Sequence, residues 1–399
     1  MKLHLQFGHG MMEHSRSLID EWGGGTVILS PRDLNDDQLK RQAKAVNKLP
    51  NGFVMIDPQF YLPHADHERL VSHAFWPKSY STGSFFGGPE LAKLMSDLKL
   101  LNDQLDTSET ILPGLLAVEI NDDWLATQDA VLEEALATTF GRPLVQTIAV
   151  SADACRVESQ VARLLEHAEK FKVDGYYLVC EHPKGSYLVE DAAWLANVVD
   201  LVAGLKLNGG RVTIGYSHHQ MLIASIAKAD AIASGTWMNV RSFPPEKFQQ
   251  ASQEEIRTRA LWYYCPQALS EYKLPFLDIA KRIGVLNVLA PRVMDPQVAH
   301  LFGGGQPSTL GLSEGAAFRY YLSSLKRQVD ESVRDSFDDT VTTHEDLLTQ
   351  AESILGTLRS HGISGQMRDF SDIVAVNRAV IAATLATRGA ILRRRWSTL

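Results

Sequence analysis

Asp57 follows a short apolar run, Phe53-Val54-Met55-Ile56, and is followed by Pro58 and Gln59. A carboxylate at such an exit can accept hydrogen bonds from a base edge, attack an electrophilic carbon or move a proton. It can equally close an Asx turn. Glu181 and His182 leave a second run, Gly175–Val179, and suit an acid/base pair. His218 and His219 follow a third, Arg211–Gly215, where one ring is expected at the mouth of the fold and the other in solvent. A helix cap at Ser217 also accounts for that segment. Ser234, Thr236, Asn239 and Arg241 come after Asp230–Ala233; Arg241 with Ser234 would suit a phosphate. Gln146 sits inside Leu144–Val150 and, if inward, offers a ligand both donor and acceptor, or else bonds a neighbouring strand. Glu119 and Asp122 could read an edge that presents N–H donors, or serve as ordinary turn acids. His9, on the first loop, could join the site. Were His9, Asp57, Glu181 and His218 to converge, they could instead hold a metal, although the first strand lacks an HxH pair.

The elements that must position these residues alternate along the chain. Strands are expected over 3–7, 26–29, 53–56, 111–118, 144–150, 175–179, 211–215 and 230–233. Helical segments fall between them, among them 35–49 capped at Asn35 or Asp36, and 219–228, whose Met221, Leu222, Ser225 and Ile226 suit an amphipathic helix. Eight strands alternating with helices over roughly 240 residues is the length and pattern of a (β/α)8 barrel. The first strand is not followed by GxGxxG, which counts against an open doubly wound sheet. The expected layout is a barrel over 1–248 and a helical C-terminal region over 249–399, with helices over 254–265, 268–283, 314–333, 344–361 and 370–395. The segment 61–89 reads as a long insertion rich in His and aromatic residues, a type that is usually functional or mobile.

The 399 residues are 45% hydrophobic and carry a formal net charge of -8. That charge gives no general support for polyanion binding, so any nucleic acid would have to meet a local basic patch. Cys155, Cys180 and Cys265 are widely spaced and form no CxxC, so neither structural zinc nor a disulfide framework is expected. No cofactor motif is present. No apolar run of about 18 residues stands out and the N-terminus is unlike a signal peptide, so a cytoplasmic protein without a membrane is expected.

The order of several segments resembles the tRNA-guanine transglycosylases and their DNA-modifying relatives, β/α barrels that exchange guanine for a 7-deazaguanine base. Thr26-Val27-Ile28-Leu29 with its polar turn is similar to the family's second strand. Val54-Met55-Ile56-Asp57 with Gln59 and Phe60 looks like the strand whose aspartate recognises the base. Leu144-Val145-Gln146 resembles the strand whose glutamine contacts it, and Arg156 and Ser159 keep the spacing of the helix that follows. Val173-Asp174-Gly175-Tyr176 resembles an F-D-G-Y strand start. Ile214-Gly215, Ala229-Asp230 and Arg241 resemble the last repeat. The resemblance covers residues 24–243. It implies base exchange in DNA or tRNA, with Asp57 and Asp230 catalytic and Gln146, with Glu119 or Asp122, holding the base. The target nucleotide would be turned out of any duplex, with the aromatic insertion stacking on it. The chain departs from the family at Thr147 and Ile148, where the family has glycines, and at Ala233, where the nucleophilic aspartate would fall. It also lacks the family's three-cysteine zinc site. Those departures keep open a barrel without catalysis that serves as a binding or assembly subunit, its C-terminal region forming a homo-oligomer or holding a protein partner.

Overall fold

The computed structural model describes residues 1–65, 67–249 and 260–399. Parallel strands and helices alternate: β1 (Lys2–Gln6), α1 (Met11–Glu21), β2 (Gly25–Leu29), α2 (Asp36–Asn47), β3 (Gly52–Ile56), α3 (Pro89–Leu105), β4 (Thr110–Ile111), β5 (Leu116–Ala117), α4 (Asp122–Thr138), β6 (Leu144–Val150), α5 (Glu158–Ala168), β7 (Gly175–Cys180), α6 (Ala192–Leu207), β8 (Arg211–Ile214) and β9 (Ala231–Ser234). The strands hydrogen-bond in the order β3-β2-β1-β9-β8-β7-β6-β4, with β5 also on β6. β4 and β5 are two pieces of one strand, so this is a nearly closed eight-stranded parallel barrel. The open seam, between β3 and β4, is bridged by Ser108 N–H to the Val54 carbonyl at 2.8 Å.

The predicted strand 111–118 is broken because Pro113 has no N–H to give β6. Gly114 also comes so close to Thr147 that a Cβ would lie 2.9 Å from it. α2 begins where its sequence requires: Asn35 accepts from Gln38 N–H and the Gln38 side chain accepts from Asn35 N–H, a complete capping box.

Two expectations on the later chain are corrected. The segment His219–Ala227 is a 3-10 stretch buried on every side, not an amphipathic helix, because α9 (Phe337–Ser360) and α10 (Ile373–Thr387) lie over it. The C-terminal region is also not wholly helical. Trp262–Cys265 (β10) and Ser270–Lys273 (β11) form an antiparallel hairpin. The expected helix 254–265 lies outside the described residues up to 259; of the rest, Ala260 and Leu261 are irregular and Trp262–Cys265 is β10. The other expected helix, 268–283, keeps only α7 (Leu274–Arg282). The consecutive aromatics Trp262, Tyr263 and Tyr264, ahead of the turn at Pro266, favour a strand. α8 (Glu314–Glu331) and α11 (Gly389–Arg395) complete the region. One stretch, Gln366–Thr387, has the length and composition of a bilayer-crossing helix, contrary to the expectation from the sequence; Val374, Val380 and Ile381 within it are buried, and α10 packs on α6.

Several rings of the insertion after β3 pack on one another, beside a cavity of about 680 Å³ that Phe75 and Trp76 also line. Phe60 lies against Trp76, Tyr80 and Phe85 with ring centroids 5.2 to 5.9 Å apart, and Phe75, Trp76 and Phe85 are buried.

Candidate functional site at the barrel mouth

Strand parity decides what faces the barrel axis, because side chains alternate across each strand. Asp57 lies one step past β3, Gln6 ends β1 and Tyr177 sits in β7; all three point inward and meet at the C-terminal end of the barrel. The Tyr61 hydroxyl donates to Asp57 Oδ2 at 2.8 Å, and the Tyr216 hydroxyl to the same oxygen at 3.0 Å. Tyr177 donates to Gln6 Oε1 at 2.8 Å and lies 3.4 Å from Asp57 Oδ2. Gln59 N–H donates to Asp57 Oδ1 at 2.9 Å, and the Gln59 amide reaches Ser30 and Tyr216. Burial pushes the Asp57 carboxyl up to about 6, against the pull of these hydrogen bonds.

The backbone is bent to build this cluster. Gln59 and Tyr216 both adopt left-handed φ values, 55° and 53°, a conformation that costs a non-glycine residue free energy and gathers at functional sites. Gly215 has to be glycine, since a Cβ there would stand 2.5 Å from the Tyr177 hydroxyl. Rings close the mouth above. Phe243 and Phe248 pack on Tyr61 at 4.9 and 5.0 Å between centroids, and Phe243 pairs with Glu181 as a short extension of the sheet. Asp57 is 1% exposed as a result.

Other predicted residues lie elsewhere. Asp230 stands at the opposite, N-terminal end, held by Lys206 Nζ at 2.9 Å and Val212 N–H at 2.7 Å. It cannot act with Asp57, because the residue before β9 and the residue after β3 are at different ends of parallel strands. Gln146 has the outward parity and bonds Gln128 of α4 at 2.6 Å, so the expected inward glutamine is corrected. Ser234 pairs across from Leu5, on the same outward parity, and its hydroxyl is buried without a partner among the described residues. Glu181 accepts from Ala152 N–H at 2.9 Å, at the start of the short helix Ala152–Arg156, rather than pairing with His182, whose Nδ1 lies 3.0 Å from the Ser186 carbonyl. Glu119 is exposed, and Asp122 is an exposed first-turn residue paired with Arg163. His218 and His219 are both buried, which corrects the expectation of one in solvent. Burial holds His219 at about 4 and His218 below its usual range. Among the described residues no three His, Cys, Asp or Glu side chains gather to hold a metal, so His9, Asp57, Glu181 and His218 do not form the alternative metal centre.

Beside the mouth, a cavity of about 350 Å³ opens between His9, Arg32, Asp33, His67, Lys247 and the turn Trp237–Asn239. With its amide oxygen turned to the cations, Asn239 accepts from Arg32 at 3.1 Å and Lys247 at 3.0 Å. On the other side of that turn Arg241 is 3% exposed and meets Glu271 of β11 at 3.3 Å.

No family model matches the chain. Nor does any curated protein. Among solved structures it is similar to 3-dehydroquinate dehydratase from Aquifex aeolicus VF5, at 8% identity and a TM-score of 0.34, over 59% of this chain and 89% of that one. It is similar to the carboxyl transferase domain of Rhizobium etli pyruvate carboxylase at 11% and 0.34, over 82% of this chain and 47% of that one. It is also similar to FabK from Thermotoga maritima at 10% and 0.33, over 90% and 95%. Likeness at this level carries no functional argument.

Tyr61, Tyr177, Tyr216 and Gln6 were not singled out from the sequence, and neither were Glu271 and Arg368. Tyr177 lies in a strand that was expected, but its inward parity emerges only when β7 is paired with β6 and β8. Tyr61 and Tyr216 were out of reach, because each is delivered by a turn.

Proposed function

We propose that the chain is a nucleobase transglycosylase-like enzyme that exchanges or cleaves a guanine or 7-deazaguanine base in DNA or tRNA, with Asp57 as its central group. The observation that supports this is a buried carboxyl titrating at about 6 at the C-terminal end of a β/α barrel, ringed by three tyrosines. Active sites of such barrels lie at that end, and perturbed carboxyls gather at functional sites. Protonated, Asp57 can donate its proton to the leaving base nitrogen as the glycosidic bond breaks, while the incoming base, or water in cleavage, bonds to the anomeric carbon and returns a proton to the ionised Asp57; ionised, it can also accept from the adjacent N–H donors of a guanine edge. Arg32, Lys247, His9 and His67 line the neighbouring cavity, a place for the phosphates of a strand, and Arg241 stands behind it. Access requires Phe243 and Phe248 to withdraw. With Asp230 remote, no second carboxylate is proposed to share the chemistry.

The aromatic seal favours a second reading, a barrel that binds or assembles without turnover. Equilibrium dialysis of radiolabelled guanine and 7-deazaguanine against the wild type and Asp57→Asn separates the two. The enzyme reading expects saturable binding that the substitution weakens about tenfold or more, the cost of one lost charged hydrogen bond. Absence of binding to folded protein favours the assembly reading.

A further inference from the structure

We infer that the N-terminal end of the barrel holds a second binding site, one for a small organic carboxylate with an apolar ring or chain. The inference is independent of any chemistry at Asp57, which lies at the other end of the same strands. Lys2 and His4 share the inward face of Gln6, because side chains alternate along β1. Partners in register on parallel strands share a face as well. Lys2 stands beside Ala231 and Thr213, Val145 beside Gly175 and Arg211, and Thr26 beside Phe53. Val145, Gly175, Thr213 and Ala231 are small, where the interior of such a barrel is usually filled by bulky branched side chains. This layer is therefore left open, and a cavity of about 290 Å³ lies between these residues, His4 and Phe53.

The lining defines the ligand. Phe53 is 49% exposed although it lines the inside of the barrel end, so an apolar group laid on it is removed from water. His4 Nδ1 is buried without a hydrogen bond among the described residues. Buried polar atoms are paired in the great majority of cases, and an exception asks for a partner. The charges give the sign of that partner. Arg211 pairs with Glu109 at 2.5 Å and Asp230 with Lys206 at 2.9 Å, whereas Lys2, at the rim, makes no ion pair among the described residues. Burial, then Lys2 and Arg211 against the weaker pull of Asp230, hold the His4 imidazole down to about 4. A ligand therefore meets a neutral ring in a net positive field. A carboxylate answers Lys2 and, with the imidazole proton on Nδ1, accepts from His4. The volume stands at the low end for ligand pockets. It has room for roughly ten water-sized groups at about 30 Å³ each, which limits the ligand to a small acid.

The test is isothermal titration of the full chain with benzoate, phenylacetate and hexanoate, beside acetate, which lacks the apolar part, and benzyl alcohol, which lacks the charge. At least one of the first three is expected to bind saturably, and acetate and benzyl alcohol about tenfold more weakly or worse. Lys2→Met removes the unpaired cation and Phe53→Ser the apolar wall. Each is expected to weaken binding about tenfold or more, as for one lost charged contact or one uncovered ring. Asp57→Asn is expected to bind as the wild type does. Thermal melts establish which variants are folded, and Lys2→Met, at an exposed position, carries the test should Phe53→Ser melt early. The inference is overturned if none of the three acids binds, or if acetate or benzyl alcohol binds as tightly as the best of them. It is overturned equally if a folded Lys2→Met or Phe53→Ser binds like the wild type, or if Asp57→Asn loses binding, which would move the ligand to the barrel mouth.

Discussion

The Tyr216 hydroxyl donates to Asp57 Oδ2 across 3.0 Å and ties the end of β8 to the end of β3, on opposite sides of the barrel mouth. That bond is stronger to the carboxylate than to the neutral acid. Tyr216→Phe is therefore expected to lose more stability at pH 8 than at pH 5, on the order of 1.5–3 kcal/mol at the higher pH. Urea denaturation at the two pH values measures it, and an equal loss at both would mean that Asp57 is not ionised in the fold.

Asp57 itself carries a pH signature. Its carboxyl titrates at about 6 in the fold, against 3.8 ordinarily, because burial disfavours the charge. Between pH 4 and 6 the folded chain keeps a proton that the unfolded chain has released, so this group's contribution to stability falls as pH rises through that window and is level above it. Asp57→Asn has no such titration. Its stability relative to the wild type is expected to rise across the window by up to about 3 kcal/mol. A difference that stays flat from pH 4 to 7 contradicts the burial-raised carboxyl.

Buried histidines act with the opposite sign. His4, His182, His219 and His344 are each held down to about 4, chiefly by burial. The folded chain leaves them neutral where the unfolded chain protonates them, so stability is complete above pH 6.5 and is lost as pH falls toward 4. The urea midpoint is expected to drop steeply between pH 6.5 and 4.5. His344→Leu, which removes one of the four together with its contact to Ser225, is expected to flatten part of that slope. An unchanged slope would mean that His344 is protonated in the fold.

Barrel strands could be read from their apolar runs, and their parity decided more than their position. Gln146 and Asp57 both sit in or at the ends of such runs, yet one side chain faces α4 and the other the axis. Which parity is inward emerges only when the strands are paired, Thr147 beside Tyr177 and Tyr177 beside Thr213. Asp230 was misplaced for a related reason, since a residue before a parallel strand and one after it lie at opposite ends. The tyrosine ring around Asp57 comes from three separate turns and strands, and the left-handed φ at Tyr216 has no local signal in a residue type that rarely adopts it. The hairpin at Trp262–Lys273 was legible in principle, through the aromatic run Trp262–Tyr264 before Pro266 and Tyr272 after it.

Glu271 lies where two arginines, Arg241 and Arg368, converge, and its loss should be costly. Glu271→Leu leaves Arg241, 3% exposed, without its counter-charge. A destabilisation of about 3–5 kcal/mol is expected, read by thermal or chemical unfolding. A loss below about 1 kcal/mol would mean that the pair is solvated.

The most direct test of the central proposal is the transfer of radiolabelled guanine or 7-deazaguanine into tRNA and into DNA by the wild-type chain and by Asp57→Asn, both verified as folded. The account predicts that label enters one of the two polymers with the wild type and not with the variant. Equal incorporation by both proteins, or none in either polymer from wild-type chain that binds the free base, would contradict Asp57 as the centre of a base-exchange site.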